Sequence, residues 1–118
     1  MHELSIAESI VRIAEAHAEG RRVTAVEVRV GALRQVVPPA LEFAFELVAR
    51  GTAVEGAALE LREVAPEVSC RACGTVSEVE AFPLACSACG SLNVDVLCGE
   101  ELLVESLELE EELAAGRR

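Results

Sequence analysis

Near the start of the chain, apolar residues recur at helical spacing. Leu4, Ala7, Val11, Ala14 and Ala18 form one stripe, and Ile6, Ile10, Ile13 and His17 form a second beside it. Glu8, Glu15 and Glu19 lie mostly outside both stripes, so the pattern predicts an amphipathic helix over residues 5–19. Ser5 and Glu8 have the spacing of a capping box, and Gly20 suits the stop. The period then changes to two. Val26, Val28 and Val30 alternate with Glu27 and Arg29 as far as Gly31, the pattern of a half-buried strand. Pro38 and Pro39 precede a second helix over residues 40–50; proline is tolerated in a first helical turn, and Gly51 suits the position just past the end. Leu41, Ala44, Phe45 and Val48 give this helix its apolar face, widened by Phe43 and Leu47. Gly56 marks a turn, and Leu59 and Leu61 alternate with Glu60 and Arg62 in a second strand that Pro66 closes. A last strand runs over residues 101–110. Leu102 and Val104 share one parity there and Leu107 and Leu109 the other, which predicts a β-bulge or burial on both faces.

This order predicts an α+β domain, with two helices on one face of a three-stranded sheet. Residues 67–93 interrupt it as an insert, so the main domain takes in residues 1–66 and 94–118. Glu110, Glu111 and Glu112, with Arg117 and Arg118, read as a solvated tail.

Composition narrows the function classes. Hydrophobic residues make up 52% of the 118 residues but aromatics only 3%, so the core is built from Ala, Val and Leu. Twenty Glu and one Asp face ten Arg and no Lys, for a formal charge of -11. That balance excludes a phosphate-backbone binder and docking on anionic lipid, while cationic partners, metal ions included, remain open. No stretch approaches the roughly 20 apolar residues of a membrane span. Met1-His2-Glu3 has no basic segment of the kind that opens a signal peptide. The chain reads as soluble and cytoplasmic. Its five cysteines then stand in a reducing compartment, where disulfides seldom persist.

Four of the five fall into a pattern. Cys70-Arg71-Ala72-Cys73-Gly74 is echoed by Cys86-Ser87-Ala88-Cys89-Gly90. Each C-x2-C pair can form a tight knuckle that aims two thiolates at one point, and the following glycine permits the positive φ such turns use. Two knuckles supply four thiolates, the donor set of tetrahedral Zn²⁺; iron in a rubredoxin-like site is the minor alternative. A redox C-x2-C would be single and would open a helix after a strand, whereas this one is doubled and lies in a loop-rich insert. Four protein ligands leave no open position, so the site is structural and not hydrolytic. The insert has only Phe82, Leu84, Leu92 and a few valines to bury, and its folding depends on the metal. Cys98 stands outside the pattern and reads as a small buried residue at the start of a strand.

The two histidines differ. His17 lies on the Ile6-Ile10-Ile13 stripe and reads as packed at the core boundary. His2 sits beside the α-amino group. An amine, a deprotonated peptide nitrogen and an imidazole can wrap one ion in fused chelate rings, and such nitrogen donors in a plane suit Ni²⁺ or Cu²⁺. Glu3 adds a carboxylate or a further amide nitrogen.

Met1-His2-Glu3-Leu4-Ser5 resembles the opening of the HypA/HybF family of nickel metallochaperones, which serve maturation of nickel–iron hydrogenase. The resemblance continues through Val30-Gly31, Phe43-Ala44-Phe45-Glu46, Gly51-Thr52 and Glu55-Gly56-Ala57. It takes in both knuckles, Gly99-Glu100-Glu101-Leu102 and Ser106-Leu107-Glu108. It implies nickel as cargo, ligated by Met1, His2 and Glu3, and structural zinc on Cys70, Cys73, Cys86 and Cys89. It also implies a metallochaperone and not an enzyme, with the HypB GTPase and the hydrogenase large subunit as partners; some members serve urease. A homodimer is left open. Arg34, where the family pattern suggests a small polar residue, and Cys98 depart from it without touching a ligand position.

Other classes predict features that are missing. A nucleic-acid-binding zinc ribbon needs basic and aromatic residues around its knuckles, but the insert has Arg71 as its only cation against Glu67, Glu78 and Glu80. An enzyme needs a nucleophile, a base and a group that orients them, and no such set is visible. A scaffold that binds zinc but never nickel is separated from the chaperone by metal analysis after exposure to nickel.

Overall fold

The computed structural model describes residues 3–80 and 82–110. Helix α1, Glu3–Ala18, buries Ile6, Ala7, Ile10, Val11, Ala14 and Ala18. Both expected stripes contribute to that face, but each ends early: Leu4 is 54% and Ile13 43% exposed, and His17 is exposed as well. The helix already runs at Glu3, so Ser5 lies inside its first turn and the expected capping box does not form there. Strand β1, Val23–Gly31, buries Val23, Val26, Val28 and Val30 while Glu27 and Arg29 stay partly accessible. A single 3₁₀ turn, Ala32–Arg34, leads toward helix α2, Pro38–Ala49, whose first turn begins with the proline pair. Leu41, Ala44, Phe45 and Ala49 form its buried face, and α1 packs against α2. Phe43 and Leu47 were expected to widen that face. They are instead exposed, because residues two and six positions after Leu41 point away from the side that meets α1.

Strands β2, Ala58–Val64, and β6, Leu102–Leu109, flank β1 in a three-stranded sheet of order β2-β1-β6. The burial of β6 changes parity at Glu105 and Ser106, both exposed, as the leucine spacing requires. Three further strands were not anticipated. Strands β3, Glu67–Cys70, β4, Val76–Glu78, and β5, Val94–Cys98, make a second antiparallel sheet of order β4-β3-β5. Val68 lies opposite Ser77 of β4 and Val96 of β5 and is fully buried. The β3–β5 ladder is irregular between Glu67 and Val68. The cysteine-rich stretch thus uses β5, beyond residue 93, to complete its own sheet.

The described residues form two compact units, one of residues 29–36 and 61–103 and one of residues 3–28, 37–60 and 104–110. In the first, Gly31 and Gly99 let backbone meet backbone. A Cβ on Gly31 would collide with the Gly99 carbonyl, and one on Gly99, whose φ is 114°, would lie 2.7 Å from Pro66 Cα. Phe82 and Leu92, expected to be buried, are 58% and 70% exposed. The glutamates 111 and 112 and the arginines of the expected tail lie outside the described residues. No described helix is long and apolar enough to cross a membrane.

Candidate metal centre

Each knuckle is a backbone turn that closes on its first cysteine. In one, Cys70 N–H donates to Thr75 O at 2.9 Å and Gly74 N–H donates to Cys70 O at 2.9 Å. In the other, Cys86 N–H donates to Ser91 O at 2.9 Å and Gly90 N–H to Cys86 O at 2.8 Å. The glycines take φ of 77° and 78°, which explains why glycine follows both pairs. Inside the first turn the N–H groups of Ala72 and Cys73 point at Cys70 Sγ at 3.3 and 3.4 Å; inside the second, Ala88 N–H points at Cys86 Sγ at 3.4 Å. Such donors stabilise thiolate in preference to thiol.

The turns bring all four sulfurs within 4.8 Å of one another. Cys70 Sγ lies 3.6 Å from Cys89 Sγ, and Cys73 Sγ lies 3.6 Å from Cys86 Sγ. A tetrahedron with metal–sulfur bonds of about 2.3 Å has edges of roughly 3.8 Å, so the sulfurs fit one tetrahedral ion. Cys70 and Cys86 are buried, while Cys73 and Cys89 reach solvent.

Their acidities differ by position. The hydroxyl of Thr75, 3.2 Å from Cys73 Sγ, lowers the Cys73 thiol first, and the Thr75 backbone and Cys86 add to it; its pKa falls to about 6. The Cys73 N–H lowers the Cys70 thiol against the opposing effect of burial. At Cys89 the Ser91 backbone favours the thiolate, but Cys70 and Cys73 outweigh it and push the thiol up to about 11. Four sulfurs this close cannot all carry charge unaided, and a divalent cation removes that conflict. Because the four cysteines fill a tetrahedron, they leave no position for substrate or activated water.

The surroundings contain two contacts that the spacing of the cysteines did not reveal. Arg71 holds Asp95 of β5 with two parallel bonds, Nε to Oδ2 at 2.9 Å and Nη2 to Oδ1 at 2.6 Å, and its backbone N–H donates to Asn93 O at 2.9 Å. The Arg71 guanidinium lowers the Asp95 carboxyl, and Asp95 in turn raises Arg71. The signal was present: Asp95 is the chain's single aspartate, and Arg71 the insert's single cation. The Thr75 hydroxyl at Cys73 is the other contact, and nothing in the cysteine pattern pointed to it. The second knuckle has a lighter tie, Ser87 N–H donating to Ser77 Oγ of β4 at 3.4 Å.

Of the expected nickel ligands, Met1 and His2 lie outside the described residues. Glu3 Oε2 accepts a bond from Val37 N–H at 3.2 Å. His17, expected at the core boundary, is exposed on α1, and its Nδ1 donates to Ile13 O at 2.9 Å. Cys98, expected to be buried at the start of a strand, is partly accessible at the end of β5, with Sγ 3.5 Å from Ala65 O.

A family model described as "Hydrogenase/urease nickel incorporation, metallochaperone, hypA" matches residues 1–109. The hydrogenase maturation factor HypA of Geobacter sulfurreducens is 46% identical over 110 residues, covering 93% of this chain and 100% of the relative. That of a Nostoc species is 40% identical over 111 residues, covering 94% and 97%. The solution structure of the Ni metallochaperone HypA from Helicobacter pylori superimposes with a TM-score of 0.69 at 28% identity, covering 95% of this chain and all of that one.

Proposed function

We infer the function from one premise: this chain belongs to the HypA family of nickel-incorporating metallochaperones and hydrogenase maturation factors, which are not enzymes. We propose that it is a nickel courier. Ni²⁺ is its cargo, held at the chain's beginning by Met1, His2 and Glu3, with the α-amino group, a peptide nitrogen and the His2 imidazole as donors. Zn²⁺ is its resident structural ion on Cys70, Cys73, Cys86 and Cys89. The observation that carries this reading is the family match, which runs from residue 1 through both knuckles. The sulfur spacing supports the zinc part, since a filled tetrahedron suits an ion that stays. A chelate at a terminus suits an ion that leaves, because donors can be exchanged one at a time as a partner approaches.

On this reading the protein works in the cytoplasm with the HypB GTPase and delivers nickel to the hydrogenase large subunit, with urease as a second client class. Neither nucleic acid nor membrane is a partner. Residues 1–66 and 94–118 form the nickel-binding domain and 67–93 the zinc-binding insert, to which β5 adds a strand. Calorimetry tests the nickel half. His2→Ala, or acetylation of the N-terminus, is expected to abolish Ni²⁺ binding while one zinc stays bound; unchanged nickel affinity in both would overturn it.

A further inference from the structure

Helix α2 carries charge that does nothing for the helix itself. Its first turn has no acidic residue and its last turn no basic one. Glu46 stands in that last turn, where the partial negative charge of the helix end disfavours a carboxylate. Glu42 lies four residues earlier, so the two carboxylates share a face and repel each other. Both are exposed, and neither has a hydrogen-bond or ion-pair partner among the described residues. Together they line a cleft of about 390 Å³ between α2 and the start of β2. Its apolar floor is Phe45 and Ala49, both buried, with Leu59 beside them. The Arg22 guanidinium passes close to Gly56 at the edge of the cleft, but its Nη2 donates to Glu55 O at 3.0 Å and it pairs with neither carboxylate. The outward side of α2 adds a second pair at the same spacing: Phe43 is 64% exposed and Leu47 40%. Phe43 and Glu46 are three apart, so the apolar pair borders the acidic pair on the helix surface.

We infer that this surface docks a partner protein through a basic segment with apolar flanks: an arginine side chain enters the cleft, and the apolar residues beside it cover Phe43 and Leu47. The occupant follows from the chemistry of the lining. Arginine has an aliphatic stem that packs on apolar surface and a cationic head that bonds carboxylates in a fork. Phe45, Ala49 and Leu59 suit the stem, and Glu42 and Glu46 suit the head. A metal ion fits worse. The cleft offers it two carboxylates, whereas among the described residues the four cysteines alone gather three or more ligating side chains. An acidic segment would be repelled, and a neutral one would bury both carboxylates without a countercharge. None of these residues is a ligand of the proposed zinc or nickel sites, so loss of docking and loss of metal are separable.

The test is fluorescence anisotropy on the full chain loaded with zinc. The probe is a fluorescein-labelled peptide with one arginine between two leucines. One analogue carries citrulline, the neutral isostere, in place of arginine. Wild type is expected to bind the parent peptide, and the citrulline peptide about tenfold or more weakly, because hydrogen bonds to charged groups are lost. Glu42→Gln/Glu46→Gln is expected to weaken the parent peptide by about the same factor, and Phe43→Ala/Leu47→Ala by about tenfold, with one zinc and the wild-type helical signal retained in both. Glu8→Gln/Glu19→Gln removes the same charge from exposed sites elsewhere and should bind within about twofold of wild type. Failure of wild type to bind the parent peptide at millimolar concentration would overturn the inference. Equal weakening in the Glu8 and Glu19 variant would reduce the effect to net charge, and no docking site would remain. Binding of arginine amide or Ca²⁺ as tight as that of the peptide would make the cleft a small-cation site instead. Sedimentation of wild type as a dimer that Phe43→Ala/Leu47→Ala dissociates would give the surface to a second copy, again against the inference.

Discussion

In the unit that contains α1 and α2, the side chains of Ile10, Val23, Val26, Val28, Leu41 and Val54 are almost wholly hidden from solvent. In the four-cysteine unit, Val68 and Pro66 are the large side chains hidden to that degree among the described residues, and Phe82 and Leu92 stand mostly in water. Fully burying a valine or leucine is worth roughly 1.5–3 kcal/mol, so the first unit has an aliphatic core of its own. The second has almost none. A structural zinc bound by thiolates is worth roughly 10–16 kcal/mol at neutral pH, which several buried aliphatic side chains would be needed to match. With zinc in the four-cysteine site as proposed, one unit is organised by burial and the other by an ion, and the ion that holds the fold together is distinct from the one that is passed on.

The largest effect that would break this contrast is removal of the metal. Cys73→Ser or Cys86→Ser should reduce bound zinc from one equivalent to none and unfold the four-cysteine unit. Circular dichroism should retain the helical signal of α1 and α2. Loss of that signal on chelation would mean that the aliphatic unit leans on the ion too. Next in size is Gly31→Ala, which drives a methyl group into the Gly99 carbonyl. It should cost about 3 kcal/mol or more in denaturant unfolding, since backbone is in the way and no side chain can swing aside. A variant of wild-type stability would show that the two glycines do not meet as described.

Smaller changes sharpen the account of the ion. Cys73 titrates near 6 because of Thr75, so its thiolate is favoured above that pH and lost as pH falls through it. Thr75→Val raises that value, and the pH at which half the zinc is released should move upward. An unmoved midpoint would remove Thr75 from the site. The smallest effect belongs to the clamp on the first knuckle. Asp95 is held below the usual carboxylate range by Arg71, so the pair contributes at neutral pH and its contribution fades as pH falls through the lowered value. Asp95→Asn should loosen the Arg71 amide in hydrogen exchange at neutral pH without releasing zinc. Zinc loss in that variant would promote the pair from clamp to essential support.

The sequence made one of the two units far easier to read than the other, for the same physical reason. Where burial holds the structure, periodicity records it: Val26, Val28 and Val30 announced β1, and the α1 stripes named all six of its buried residues. The failures there are of two kinds: Ile13 stands at the edge of its face, where helical spacing alone does not say how wide the contact is, and Phe43 and Leu47 are apolar residues on the side of α2 turned away from α1. Where an ion holds the structure, periodicity has little to record. Strands β3 and β4 are four and three residues long, too short to show alternation, and only the cysteine spacing marked the region. That spacing marked the four cysteines whose sulfurs the fold gathers at one centre but said nothing of Thr75 or of Arg71 on Asp95.

X-ray absorption at both metal edges, on protein loaded with one zinc and one nickel, tests the central claim most directly. Zinc should show four sulfur neighbours at about 2.3 Å, unchanged by nickel, and nickel only nitrogen and oxygen donors. Sulfur in the nickel shell, or displacement of zinc as nickel is added, would contradict it.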